Sequence, residues 1–183
     1  MAGYHYLIAG LPDLKSDFGQ HSFDYAATVA GIRELCPESG RKLIDWLEAG
    51  FEESHLNDTF YRSVKRTGNR FLQEYFEFDR EARSAKMAFL EGGRWNEEFN
   101  GVFAESNIIE REKKLDRLYW EKIDGIVLHE LFSIDIVLAF ITKAHIAARW
   151  EALDPGRGAE LFSQLVKEVR GTFKGVSYDS ETK

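Results

Sequence analysis

The stretch DTFYRSVKRTGNRFLQEYFEFDREARSAKMAFL, residues 58–90, decides the fold class. Within it Val64, Gly68, Phe71, Tyr75, Phe78, Ala82, Ala85 and Phe89 follow one another in steps of four and three. Such steps stack side chains on one stripe of an α-helix, because a turn takes 3.6 residues. Gly92-Gly93 stops the run. The spacing predicts one long central helix over about 58–90. At about 1.5 Å per residue it would be roughly 50 Å long. A compact chain of 183 residues measures only about 40 Å across. The expectation is therefore an all-α, elongated multi-helix bundle.

Outward from this run the pattern stays helical. No segment sustains the period of two, with hairpin turns, that a sheet needs. The three prolines, at 12, 37 and 155, fall near expected element ends. Ser22 can cap a helix through Leu35. Pro37 can open the next, which runs through Ala49 with Leu43, Ile44 and Leu47 inward and Gly50 as its stop. Toward the C-terminus a short helix is expected around Asn96 to Ala104. Another is capped by Asn107 and runs to about Asp124. Ile123, Val127, Leu131, Ile134, Leu138 and Ile141 carry the apolar stripe onward, with Ser133 and Asp135 marking a break and a new cap. A last helix starts at Asp154-Pro155 and reaches about Phe173. The run Tyr4 to Pro12 is apolar and short, and periodicity alone leaves it a buried strand or a helical turn. The organisation read from this is one helical domain, residues 1–175, and a flexible tail, 176–183.

Composition narrows the function classes. Hydrophobic residues make up 44% and charged ones 30%, which excludes a mainly disordered chain. The net charge is -7, and residues 1–56 hold 9 acids against 4 bases. An acidic chain does not draw in phosphate backbones, so nucleic acid is not an expected partner. Ile126 to Ala148 is the most apolar stretch but contains His129, Glu130, Asp135 and Lys143. That many polar groups in one bilayer span cost too much, so it reads as a core helix and no membrane insertion is expected. Tyr6 to Leu11 is too short, and too little basic in front, for a signal peptide. With Cys36 as the single cysteine, a cytoplasmic location is expected.

Few motifs carry chemistry. His129-Glu130 begins like a zinc-protease helix, but the residue four after His129 is Ser133, so the second histidine is missing. No metal site and no cofactor are expected. Cys36 precedes Pro37 at a helix start, where a thiol can be activated, but a small loop-filling residue reads more simply there. An enzyme would have to gather His129, Glu130 and His145 in one pocket. Asp79 and Arg83 can pair at i, i+4. Arg62, Arg66 and Arg70 fall four apart with Lys65 beside them, which makes a basic stripe roughly opposite the apolar one. Arg62, Lys65, Arg66 and Arg70 are thus the candidate contacts for an acidic partner, since guanidinium groups grip carboxylates in pairs.

The opening Tyr4-His5-Tyr6-Leu7-Ile8-Ala9-Gly10-Leu11-Pro12-Asp13-Leu14 resembles the start of a bacterial family of uncharacterised proteins. Its members begin with aromatic residues followed by Leu-Val-Ala-Gly-Leu-Pro-Asp and are usually encoded within operons for V-type (A/V-type) ATPases. Phe71 to Asp79, Glu112 to Trp120, and Phe132 to Phe140 onward to Arg149-Trp150 are similar to the same family. Leu115-Asp116-Arg117-Leu118-Tyr119-Trp120 is also similar to a motif in the funnel subunit of these ATPases, the all-helical piece between the membrane rotor ring and the central shaft. That funnel is nearly twice as long, so the resemblance implies part of its fold.

The resemblance implies a non-catalytic subunit or assembly factor of a V-type ATPase, with no catalytic residue carried over. Other ATPase subunits, of the rotor ring or the central shaft, would be its partners. Through them it would sit peripherally on the cytoplasmic face of the membrane. The alternative is a stand-alone helical protein–protein interaction adaptor unrelated to the ATPase.

Overall fold

A computed structural model describes residues 4–16 and 24–153, together with Ser163, Val166 and Lys167. The described residues fold into eight α-helices and one short 3-10 turn, with no strand among them. The helices are α1 (His5–Ala9), α2 (Tyr25–Leu35), α3 (Glu38–Ala49), α4 (Asp58–Arg66), α5 (Arg70–Leu90), α6 (Glu97–Phe103), α7 (Ile108–Val127) and α8 (Ile134–Ala152). The 3-10 turn, Glu53–His55, lies between α3 and α4. The all-α expectation holds. The ambiguous opening run resolves as a helix. Asp24 caps α2 by accepting from the Ala27 N–H at 3.0 Å, while Ser22 lies outside the described residues. The expected last helix, 154–173, and the tail, 176–183, also fall essentially outside them.

The single long helix over 58–90 is corrected: it is two helices. Thr67 ends α4, with its hydroxyl donating to the Val64 carbonyl at 2.7 Å. Gly68 then turns the chain at φ +70°, a conformation that side chains with a Cβ resist. Asn69 restarts the chain, its side-chain oxygen accepting from the Leu72 N–H at 2.9 Å. The spacing rule counted Gly68 as a stripe position because Val64 and Phe71 face the same core on either side of it. With α5 at 21 residues, or roughly 32 Å, the length argument for an elongated shape no longer applies.

The helix at the centre of the molecule is α8. Val137, Leu138, Ile141 and Ala144 are fully buried, and Ala139, Phe140, Ile146 and Ala147 nearly so. A helix apolar almost all round must be enclosed by others, and α2, α3, α5 and α7 pack against it. Thr142, with no exposed surface, satisfies its hydroxyl on the Leu138 carbonyl at 2.8 Å. No helix of the described residues is long and apolar enough to cross a membrane. The turn before α8 holds Phe132 at φ +54°, its ring stacked on His5 with centroids 4.3 Å apart.

A second, smaller core lies along the far half of α5. Ala82 and Ala85 meet Phe99, Val102 and Phe103 of α6, and Leu115, Leu118 and Tyr119 of α7 close over them. Alanines on α5 let α6 approach closely, and the phenylalanines fill the space. Gly50, at the end of α3, has a comparable packing role in the main core. A Cβ there would fall 2.2 Å from the Phe76 ring.

Candidate functional site

A cleft of about 300 Å³ opens where α5, α7, α8 and the chain after α3 meet. Helix α5 contributes Tyr75, Asp79, Arg83 and Lys86, one turn apart along a single face. Helix α7 contributes Glu112, Asp116 and Tyr119, and α8 contributes His145 and Arg149. Phe51 and Glu53 form the remaining wall.

Two buried carboxylates organise this cleft. Asp79 accepts from Arg83 Nε at 2.9 Å, from the Tyr119 hydroxyl at 2.9 Å and more loosely from the Tyr61 hydroxyl at 3.4 Å. Arg83 extends the chain to Glu53, with Nη1 at 3.2 Å. The i, i+4 pair expected from sequence is present, and it joins α4, α5, α7 and the 3-10 turn. On the opposite wall Asp116 accepts from Arg149 Nη2 and from Trp150 Nε1, the latter at 2.5 Å, and so ties α7 to α8. Lys143 binds Asp124 and stacks over Trp120, 4.8 Å from its centroid, which sets the same antiparallel register further along.

The electrostatics follow from burial. Desolvation raises the Asp116 carboxyl above the ordinary range, and Arg149 and Trp150 only partly oppose it. Burial, reinforced by the Asp79 charge, pushes the Tyr119 hydroxyl well up, so that it stays a donor. His145 stacks on Phe51 with centroids 4.0 Å apart and planes 9° from parallel. Desolvation and then Arg149 lower its pKa, which keeps the ring neutral. The ionisable groups on the cleft walls are thus coupled across helix boundaries. A buried carboxylate with several donors costs heavily to disrupt and fixes the relative placement of the elements it joins.

The other residues singled out from sequence lie elsewhere. His129 is exposed and Glu130 reaches Arg70 at 3.7 Å. His145 lines the cleft and neither of the other two does, so the three do not form one pocket. Cys36 is buried between α2 and α3, and desolvation raises its thiol. No group of three or more His, Cys, Asp or Glu side chains among the described residues is placed to hold a metal ion.

The basic stripe is divided by the Gly68 turn. Arg62, Lys65 and Arg66 are exposed on α4. Arg70 begins α5, where it donates to the Ile126 carbonyl at 2.7 Å and to Glu74 at 2.8 Å. Sequence reasoning missed Glu53, Tyr61, Arg149 and Trp150, because their partners lie 15 or more residues away. It also missed the second role of Asn69. Its amide donates to the buried Asp135 at 2.6 Å while its oxygen caps α5. The run of asparagines at helix starts (57, 69, 96 and 107) was the signal for that cap.

Residues 96–172 match a family described as a protein of unknown function (DUF2764). That segment takes in the 112–120 and 132–150 stretches and leaves out the opening one. No curated protein and no solved structure matches the chain.

Proposed function

We propose that the chain is a non-catalytic subunit or assembly factor of a V-type ATPase, a helical body that holds other subunits in register. The observation that carries this reading is the Leu115–Trp120 stretch, similar to a motif of the ATPase funnel between rotor ring and shaft. Asp116 and Tyr119 of that stretch are the residues that tie α7 to α8 and α5. A motif whose polar members lock helices together suits a part that bears load between partners. The opening Tyr4–Leu14 stretch, with its likeness to proteins encoded beside these ATPases, supports the same reading. On this proposal the chain works in the cytoplasm and meets the membrane only through the rotor ring or central shaft.

Affinity purification of the tagged chain from a producing cell, in mild detergent, tests the reading. Mass spectrometry of the eluate should recover ATPase subunits in fixed proportion to the chain. Recovery of the chain with none of them, from cells in which the ATPase is assembled, would leave the helical-adaptor reading in its place.

A further inference from the structure

Among the described residues several cations are held by carboxylates at close range, as Arg33, Arg70, Arg83, Lys114 and Arg149 are. The surface between α4 and α5 gathers cations that are not. Arg62, Lys65 and Arg80 line an open groove of about 260 Å³ across Tyr61, and Asp58 is the one carboxylate in that lining. Asp58 reaches Arg62 only at 4.0 Å, with both side chains more than 70% exposed (74% and 78%). Lys65 and Arg80 have no carboxylate partner among the described residues. The Arg80 guanidinium instead rests over the Tyr61 ring, 5.7 Å from its centroid. The walls are fixed: Gln73 of α5 donates to the Lys65 carbonyl at 2.9 Å, and Tyr61 packs edge-on against Phe60.

A niche of about 40 Å³ opens beside the groove and shares Tyr61, Lys65 and Arg80 with it. Its floor is the buried pair Val64 and Phe76. Lys65 and Arg80 thus border a small recess that Gln73 and Glu77 also line, and Arg62 stands in the adjoining groove. We propose that this groove docks an acidic segment of a partner protein, with a small apolar side chain seated in the niche beside the carboxylates. The site differs from the stripe expected on sequence: Arg70 is engaged elsewhere, and Arg80 and Tyr61 take its place. It stands independently of the ATPase assignment.

Charge and shape favour a peptide over a nucleic acid. The chain carries a net charge of -7 and would repel a long polyanion. The cations span a single helix crossing, too short to follow a phosphate strand, and the niche asks for an apolar group that a phosphate lacks. Guanidinium groups meet carboxylates in a forked geometry, and exposed cations of this kind set encounter rate and selectivity.

The test uses the full chain and a short fluorescein-labelled peptide of alternating glutamate and valine, followed by anisotropy. Binding should weaken as salt rises, and the glutamine–valine and glutamate–glycine peptides should bind about tenfold less well. Arg62→Glu, Lys65→Glu and Arg80→Glu should each weaken binding about fivefold, the upper range for an exposed charge pair, whereas Arg66→Glu should change it little. All of these side chains are exposed, so circular dichroism and the melting temperature should stay at the wild-type values. Three results would overturn the proposal: no binding of the glutamate–valine peptide, equal binding by the three reversed variants, or tighter binding of oligothymidylate than of the peptide. None of these depends on whether ATPase subunits co-purify.

Discussion

Helices α5 and α7 run through both cores of the molecule, yet the two cores are held in different ways. Among the described residues the main core buries 21 side chains around α8, and the distal one buries five between α5, α6 and α7. Links to buried carboxylates, Asn69 to Asp135 and Arg149 to Asp116, brace the main core. The distal core relies on stacked phenylalanines and on half-buried pairs such as Lys114 with Glu105. It also leaves Leu90 and Ile108 about 70% exposed (68% and 70%). The Asp79 and Asp116 clusters stand at the junction, and Tyr119 packs on both cores. The same two helices thus serve as scaffold at one end and as a thinly buried tip at the other. The cleft lies where the one becomes the other. A core of five residues gains too little burial to fold by itself, so the tip is the part expected to open first.

The largest expected effect separates two phenylalanines that are equally buried. Phe71 and Phe99 both have no exposed surface. Phe71→Ala should cost about 3–5 kcal/mol of global stability in urea melts, the usual range for a fully buried ring. Phe99→Ala should cost only about 1–3 kcal/mol, because the tip can open without unfolding the rest. Its signature should be faster hydrogen exchange confined to the end of α5, α6 and the start of α7. An equal loss from both, with exchange rising everywhere, would mean that the cores form one cooperative unit.

Two helix caps sharpen the same contrast. Asn107 starts α7 at the tip, where its side-chain oxygen accepts from the Ile109 and Glu110 N–H groups at 2.9 and 3.2 Å. Asn107→Ala should cost about 1 kcal/mol. Asn69 caps α5 and also donates to the buried Asp135, so Asn69→Ala should cost about 2–3 kcal/mol, because the carboxylate then loses one of its donors as well. Replacing Asp135 by Asn in the same chain should recover part of that difference, and no recovery would reduce Asn69 to a cap like the others.

What was legible in the sequence follows the same division. Local signals gave local structure: Pro37 and Gly50 bracket α3, and Asn96 and Asn107 open α6 and α7 where expected. Of the apolar stretch 126–148, the part from Ile134 reads correctly as a core helix because its apolar residues go all round, and it starts at the break expected around Ser133 and Asp135; residues 128–133 form a turn that leaves Leu128 and Leu131 exposed. The error over 58–90 came from a periodicity that survives the Gly68 turn, since both helices bury the same side. The cleft was mostly illegible. Asp79 with Arg83 could be found by spacing, but Tyr61, Tyr119 and Glu53 reach them only after the helices pack. The groove was half legible, for Arg62 and Lys65 share a helix while Arg80 arrives from another.

The smallest expected effect concerns pH and is read at the junction. His145 has a folded-state pKa below its ordinary value near 6.5, set by burial and by Arg149, with Glu48 opposing. The unfolded chain therefore takes up a proton before the folded one does. Stability is fully present above about pH 6.5 and is lost as pH falls from there through the lowered folded value. Asp116 acts in the opposite sense: its raised folded pKa means that stability falls as pH rises from about 4 through that value. The two effects oppose each other, and the decline that begins as pH falls below about 6.5 is the one His145 contributes. His145→Gln should flatten the decline that begins as pH falls below about 6.5. Asp116→Asn should leave that decline in place and alter only the profile below it. Urea melts at stepped pH measure both. A decline of unchanged slope in His145→Gln would move its origin away from the junction and toward the exposed acids of the surface.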